Sequence, residues 1–227
     1  MLKILLISAT RIEIEPLLQK MVVNEASLNM IKCQYNDFFI DVLISGVGII
    51  STVYYLTKFV NKDYDLVINA GICGSFSKNL KIGQVLNVVS EQFSDIGVEN
   101  ESSFLTAFEA GLVDYNVKPF VKGVLVNDFK HSQLNELEKV NAITVNIVHG
   151  NNESISKVKQ KFNPDIESME GAAVFFVCLL ERLPFIEIRA VSNYVEQRNK
   201  DNWNIPLAVD NLNKVLFDFI KNINKKQ

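Results

Sequence analysis

The side chains of this chain that could take part in chemistry are gathered in five short motifs of small and polar residues. In chain order the motifs are SATRIE (8–13), SGVG (45–48), NAGICGS (69–75), SMEGAA (168–173) and RAVSNYVEQR (189–198). Small residues at turns let backbone amides approach a ligand closely, and a carboxylate such as Glu13 or Glu170 can accept a proton. Taken singly, each motif also has a plain structural interpretation, because glycine often forms a turn at a strand end and glutamate is favoured at a helix start by the helix dipole.

Two common cofactor motifs and the usual metal-site spacings do not occur in the sequence. SGVG is not a GxGxxG fingerprint, and no GxxxxGK[ST] sequence is present, which argues against dinucleotide and P-loop sites. The histidines, His131 and His149, and the three scattered cysteines have no metal-site spacing. We therefore expect neither a metal nor a cofactor.

The elements that must position the motifs alternate between strands and helices. Apolar or alternating runs predict strands at 2–9, 39–45, 66–70, 85–92, 142–148 and 185–192. Helices are predicted at 13–21, 50–61, 132–139, 153–161, 170–183 and 207–222. This order is typical of an α/β fold with a largely parallel or mixed sheet. Ligands of such sheets bind beyond the carboxyl ends of strands, where four of the motifs lie.

The segment 93–119 is the least periodic part of the chain. It contains DIGVENES and the short apolar piece FLTAFEAGL. A long segment without clear secondary structure is often a lid or binding loop. An ordinary surface excursion is an equally good interpretation.

Length and composition indicate one globular domain covering residues 1–227. Hydrophobic residues make up 48% and charged residues 22% of the 227 residues, and the net charge is -3. This charge gives no reason to expect a nucleic-acid or membrane partner. The initial apolar run is too short for a signal peptide, and no apolar run reaches membrane-spanning length. The three cysteines are interpreted as buried thiols in a reducing compartment. We therefore expect a cytoplasmic protein.

Together and in this order, the motifs resemble the nucleoside phosphorylase and nucleosidase superfamily, and more closely its futalosine hydrolase branch. The resemblance covers essentially the whole chain. Its specific parts are ATRIE, NAGICGSF, DIGVE, SMEGAA and RAVSNYVEQRN. It implies a three-layer phosphorylase/hydrolase-like fold with a central mixed sheet flanked by helices, acting on a small-molecule nucleoside. It also implies a homodimer or a higher homo-oligomer.

The same resemblance implies roles for the two acidic residues. Glu170 of SMEGAA would hold the ribose hydroxyls and favour a cationic transition state, with Met169 as an apolar wall. Glu13 would deprotonate the attacking water, with Glu15 as the fallback if the turn differs by one residue. Two carboxylates around a glycosidic bond are the usual means of cleaving it.

Asn193 is the most informative position, because adenine-cleaving nucleosidases typically have aspartate there. An amide offers one acceptor and two donors, which suits a 6-oxopurine such as the hypoxanthine of futalosine. Asparagine cannot supply a proton, so the proton must come from solvent or from a neighbour such as Glu196. An amide can also turn to suit adenine, and Asn193 could simply cap a turn.

The remaining candidates would bind substrate. They comprise strand-end residues, a loop that would close over the base, and residues around the base-recognition strand: Ser45, Gly46, Gly71, Cys73, Gly74, Val148, His149, Met169, Arg189, Ser192 and Glu196. Arg189 would orient Glu170 or the ribose, although a purely structural ion pair is an equal alternative. His149 could stack on the purine or be incidental. Arg198 could meet a substrate carboxylate.

An acidic Glu13 after the first strand disfavours a phosphate dianion, so the resemblance favours hydrolysis over phosphorolysis. The leading prediction is futalosine hydrolase. The alternatives are a methylthioadenosine/S-adenosylhomocysteine nucleosidase, a purine nucleoside phosphorylase and, less favoured, a non-catalytic purine-binding protein.

Overall fold

The computed structural model describes residues 2–101 and 103–223 of the chain. Its strands are β1 (Lys3–Ser8), β2 (Val22–Ala26), β3 (Met30–Tyr35), β4 (Phe38–Ile44), β5 (Leu66–Ser75), β6 (Val85–Phe93), β7 (Gly97–Asn100), β8 (Ser103–Thr106), β9 (Leu125–Val126), β10 (Glu138–Thr144), β11 (Ile166–Ser168) and β12 (Phe185–Tyr194). Its α-helices are α1 (Arg11–Leu18), α2 (Ile49–Phe59), α3 (Asn152–Phe162), α4 (Gly171–Glu181) and α5 (Ile205–Asn222). Short 3-10 helices occupy Ser132–Glu136 and Lys200–Asn202.

One ten-stranded mixed sheet runs through the molecule. Its order is β11-β10-β6-β12-β5-β1-β4-β3-β2, with β9 added to β6. Strand β11 pairs with β10 and also, antiparallel, with β5, so β5, β12, β6, β10 and β11 form a closed ring. The hairpin of β7 and β8 forms a separate small sheet. The predicted α/β class with a mixed central sheet is confirmed.

Helices cover both faces of the sheet. Helices α1 and α5 contribute to one apolar cluster, with residues such as Leu17 and Leu216 packed on Ile68. Helices α2 and α4 contribute residues such as Leu56 and Phe175 to a second cluster, which also contains Val67 of β5. The three-layer arrangement is therefore confirmed. Among residues 2–101 and 103–223, every helix is too short or too polar to span a bilayer.

Two predicted elements are displaced. The helix predicted at 132–139 is only a 3-10 turn at Ser132–Glu136, because 138–144 pairs with β6 as strand β10. The strand predicted at 142–148 correspondingly ends at Thr144. The chain turns away there, with Asn146 N donating to Asp95 Oδ2 at 2.6 Å.

Six strands are missing from the prediction, and most of them have weak or short apolar patterns: β2, β3, β7, β8, β9 and β11. Strand β2 is exposed at every position and pairs only with β3. Strand β11 has only three residues. The segment 93–119 contains β7, whose residues are all exposed, and β8. Strand β5 also continues through the NAGICGS motif to Ser75, where a turn was expected.

Candidate active site

A cavity of about 370 Å³ lies beyond the carboxyl ends of β1, β5 and β12. Most of the predicted site residues line it: Glu13, Cys73, Gly74, Val148, His149, Met169, Glu170, Ser192, Asn193 and Glu196, together with Arg198. Four predicted residues do not line it: Ser45, Gly46, Gly71 and Arg189. No described residue of 93–119 lines it. The motifs that are distant in sequence therefore meet at one site.

Glu13 is held by four donors at the start of α1. Its Oε2 accepts from Thr10 N and Thr10 Oγ1, both at 2.9 Å, and from Ser8 Oγ at 3.2 Å. Its Oε1 accepts from Ile72 N at 3.1 Å. Glu13 is buried, and its fallback Glu15 is instead paired with Arg11 on the surface. These bonds fix the Glu13 carboxylate between β1 and β5, at the cavity wall.

Glu170 is the N-cap residue of α4 and reaches across the site. Its Oε1 accepts from Gly48 N, at the start of α2, at 3.0 Å. Its Oε2 lies 3.5 Å from Arg189 Nη1. Burial raises the pKa of Glu170, and Arg189 and the Gly48 amide partly oppose this shift. The carboxylate is thus positioned by the motifs around residues 48, 170 and 189 together.

Arg189 is buried and does not line the cavity. Its Nε donates to Glu187 Oε1 at 2.7 Å, and its Nη1 donates to Ile72 O at 3.5 Å. Although burial alone would lower it, the pKa of Arg189 is raised by the carboxylates of Glu187 and Glu170. A guanidinium that stays charged there can orient Glu170.

Two more buried carboxylates lie under α4, and neither belongs to the predicted set. Glu91 accepts from Thr144 Oγ1 at 3.0 Å, and its Oε1 has no partner among the described residues. Burial, and then the charge of Glu187, raise the pKa of Glu91 well above its usual value. A methyl group on Gly171 would overlap Glu91 and come within 2.7 Å of Glu187 Oε1. Glycine is therefore needed for α4 to begin directly above this pair.

Gly71 lets the side chains of Arg189 and Glu13 approach the backbone of β5 closely, and it does not line the cavity. A methyl group there would overlap Arg189 Nη1 and lie 2.9 Å from Glu13 Oε1. Ser45 is likewise structural, with its hydroxyl 3.3 Å from that of Thr52 and 3.0 Å from Gly46 O. The Gly46 amide donates to Ala9 O at 3.0 Å. These residues shape the wall on which Glu13 and Glu170 are held.

Asn193 follows an irregularity in β12. Val191 pairs with Cys73 and Asn193 with Gly74, so Ser192 is an extra residue in the ladder. Asn193 Oδ1 accepts from Ser192 Oγ at 2.8 Å, and Asn193 Nδ2 donates to Tyr194 O at 3.0 Å. Each bond leaves a further acceptor or donor site on the amide. Asn193 therefore offers a fixed amide to a ligand.

His149 is paired with Glu167, a residue that the sequence did not single out. The Nδ1 atom of His149 lies 2.6 Å from Glu167 Oε2, and the His149 amide donates to Glu167 Oε1 at 3.0 Å. Both residues line the cavity. Glu167 lies just before SMEGAA, on β11, and the short length of that strand hid its inward position.

The other polar residues of the cavity are tied to its outer loop. Glu196 accepts from Asn202 Nδ2 at 2.8 Å, and the Arg198 guanidinium lies 5.7 Å from the centre of the Trp203 ring. Burial raises the pKa of the Cys73 thiol to about 12, so Cys73 is not a thiolate nucleophile at neutral pH. The described residues contain no cluster of three or more His, Cys, Asp or Glu suited to a metal.

Comparisons with known proteins agree with the fold described above. A family model described as the phosphorylase superfamily matches residues 3–221. The 5'-methylthioadenosine/S-adenosylhomocysteine nucleosidase of Haemophilus ducreyi is 27% identical over 240 residues, which cover 97% of this chain and 98% of that protein. The native structure of futalosine hydrolase of Helicobacter pylori superposes with a TM-score of 0.81 at 21% identity, over 97% of both chains.

A second solved structure is similar to the same extent. It is the 5'-methylthioadenosine/S-adenosylhomocysteine nucleosidase of Neisseria meningitidis in complex with methylthio-immucillin-A. Its TM-score is 0.80 at 19% identity, over 97% of this chain and 99% of that chain. At such identities the superpositions show a shared fold.

Proposed function

Because the chain belongs to the phosphorylase superfamily, among the nucleosidases of that family, we propose that it is a futalosine hydrolase. It cleaves the N-glycosidic bond of futalosine and releases hypoxanthine, a step of menaquinone biosynthesis. The observation that carries the proposal is that Glu13, Glu170 and the Asn193 amide line one cavity. The two carboxylates bracket the sugar, and the amide holds the departing oxopurine.

Each acidic residue has a distinct task in this proposal. Glu170, braced by Gly48 N and Arg189, binds the ribose hydroxyls and offsets the positive charge that develops on the sugar. Glu13, held by Thr10 and Ile72, accepts a proton from the attacking water. Cleavage leaves the base on the Asn193 side of the cavity.

Water is favoured over phosphate as the nucleophile by the charges around the sugar. Glu13 and Glu170 would both repel a phosphate dianion. Arg11 does not help to bind one, because it is exposed and paired with Glu15 at 2.6 Å. We therefore propose hydrolysis rather than phosphorolysis.

Asn193 favours an oxopurine over adenine. Its Nδ2 can donate to O6, and its Oδ1 can accept from a protonated N7. The main alternative is a methylthioadenosine/S-adenosylhomocysteine nucleosidase, which the names of the relatives support as well.

Substrate incubation separates these candidates. The purified protein is given futalosine, inosine, methylthioadenosine or S-adenosylhomocysteine, with and without phosphate, and the freed base is identified by chromatography. We expect hypoxanthine from futalosine, independent of phosphate. Adenine release without hypoxanthine would contradict the proposed substrate. Ribose 1-phosphate formed from inosine would reveal a phosphorylase, and binding without turnover would reveal a purine-binding protein.

We further propose that the protein acts as a homodimer or higher homo-oligomer in the cytoplasm. Large apolar side chains at the cavity rim and along α2 are exposed, notably Ile12 at 72%, Ile50 at 83%, and Val47 and Tyr54 at more than half. Exposed apolar patches commonly mark interfaces. The three cysteines are buried free thiols, as suits a reducing compartment.

A further inference from the structure

Departure of hypoxanthine requires a proton that Asn193 cannot supply. We propose that His149, oriented by Glu167, is the general acid that protonates the leaving purine at N7. This inference rests on the proposed function, and it names the proton donor of that same site. An imidazole can carry the proton that a carboxamide cannot.

Glu167 engages His149 through both of its oxygens. One oxygen accepts from the His149 amide at 3.0 Å, and the other lies 2.6 Å from ring Nδ1. Glu167 is only 4% exposed, so water competes little for these contacts. A buried carboxylate on Nδ1 fixes the orientation of the ring, as in hydrolase triads. Because Nδ1 is occupied, Nε2 is the ring nitrogen that remains for a ligand.

The pair lies on the same side of the cavity as Asn193. A methyl group placed on Gly74 would lie 3.3 Å from Asn193 Nδ2 and 3.6 Å from Glu167 Cγ. The amide and the carboxylate therefore flank the same glycine of β5. His149 is further confined by the Phe76 ring, whose centre is 6.2 Å from that of the imidazole. A base held by Asn193 thus lies beside the imidazole.

The protons and electrons of this step balance. The C1′–N9 bond breaks, and its electron pair stays with the purine. The proton on His149 Nε2 moves to purine N7, which gives neutral hypoxanthine. The other ring proton stays on Nδ1 and remains hydrogen-bonded to Glu167. The water oxygen bonds to C1′ and gives a proton to Glu13. One water is consumed, and the proton gained by Glu13 returns to His149 through solvent after product release.

The test compares futalosine with its N7-methylated derivative. The methylated base leaves as a neutral molecule without a proton, so it does not need a general acid. We expect His149→Gln to lower kcat on futalosine by roughly 10²- to 10⁴-fold, the usual contribution of general acid catalysis. On the methylated nucleoside we expect less than a tenfold loss. The hydrogen bond from the backbone N–H of residue 149 to Glu167 does not depend on the side chain and is kept in this variant. The matched control is His131→Gln, at the only other histidine of the sequence.

The Glu167→Gln variant tests whether Glu167 positions the His149 ring or only supports the fold. We expect kcat on futalosine to fall while KM changes little, and the methylated nucleoside to be spared again. Equal losses on both nucleosides, or no loss on either, would overturn the role of His149. If the wild-type protein released hypoxanthine in that experiment, the proposed function would stand. A wild-type protein that cleaves neither nucleoside would contradict the proposed function itself.

Discussion

At the scale of single residues, the site depends on carboxylates held by contacts from distant parts of the chain. Glu170 bonds to Gly48 N, 122 residues away in sequence, and faces Arg189. Glu13 is similarly tied to Ile72. Such preorganised charges stabilise a transition state without reorganisation during the reaction.

Glu170→Gln is predicted to lower kcat by about 10²- to 10³-fold, because the amide keeps the shape of the side chain and loses the charge that faces the sugar. Steady-state kinetics on futalosine, with circular dichroism to verify folding, measures this. Glu181→Gln, at the exposed end of α4, is the matched control and should leave turnover unchanged. Unaltered turnover in Glu170→Gln would remove Glu170 from the mechanism.

Asn193→Asp is predicted to shift preference toward adenine nucleosides. A carboxyl group can accept from a 6-amino group, whereas the carboxylate repels the O6 of an oxopurine. We expect the ratio of kcat/KM for methylthioadenosine to that for futalosine to rise at least tenfold. An unchanged ratio would mean that another residue reads the base.

At the scale of elements, the start of α4 packs against buried carboxylates. The overlap of a Gly171 methyl group with Glu91 and its closeness to Glu187 follow from this packing. Alanine favours a helix over glycine by about 1 kcal/mol, but in Gly171→Ala the overlap with Glu91 is expected to outweigh that gain. We predict a net loss of roughly 1–3 kcal/mol, the usual effect of overpacking, measured by urea denaturation. A variant as stable as the wild type would show that the helix start has room to move.

The raised pKa of Glu91 makes stability depend on pH. Above the usual pKa of 4.5, the unfolded chain releases this proton while the native state keeps it. The free energy of unfolding therefore falls as pH rises from 4.5 through the raised pKa. In the Glu91→Gln variant, the free energy of unfolding should lack the part of this decline that comes from Glu91. Urea denaturation between pH 5 and 9 checks it, and parallel curves for the two proteins would contradict it.

Local pattern was sufficient to predict the central strands and the motifs at their ends. The apolar runs of β1, β4 and β12 are unambiguous, and Glu13 and Glu170 follow recognisable element boundaries. Glu91, Glu167 and Glu187 could not be predicted, because each lies within a strand and becomes significant only through partners brought close by the sheet. The helix predicted at 132–139 was wrong because the local sequence does not show that residues 138–144 pair with β6. Only a 3-10 turn forms, at Ser132–Glu136.

At the scale of the whole molecule, the proposed self-association rests on exposed apolar residues of α2. Ile50 and Tyr54 of α2 share a helix face with no covering element within the described chain. Burying such side chains stabilises an assembly by about 1.5–3 kcal/mol each.

Ile50→Glu is predicted to weaken self-association, because a charge would be buried at the contact. Light scattering coupled to size exclusion should show the wild type as a dimer or larger and the variant shifted toward monomer. Leu28→Glu is the control, because it adds the same charge at an exposed apolar residue outside α2, between β2 and β3. A monomeric wild type would contradict the proposed assembly.

The closed ring of β5, β12, β6, β10 and β11 has a consequence for local opening. Each strand in it is hydrogen-bonded on two sides, so none can peel away alone. Amide protons of Ile188 and Ala190 should exchange with deuterium only when the entire molecule unfolds, while those of exposed β2, at the far sheet edge, exchange through fraying. Local opening is therefore expected at β2, at the other end of the sheet from the strands that bind the base.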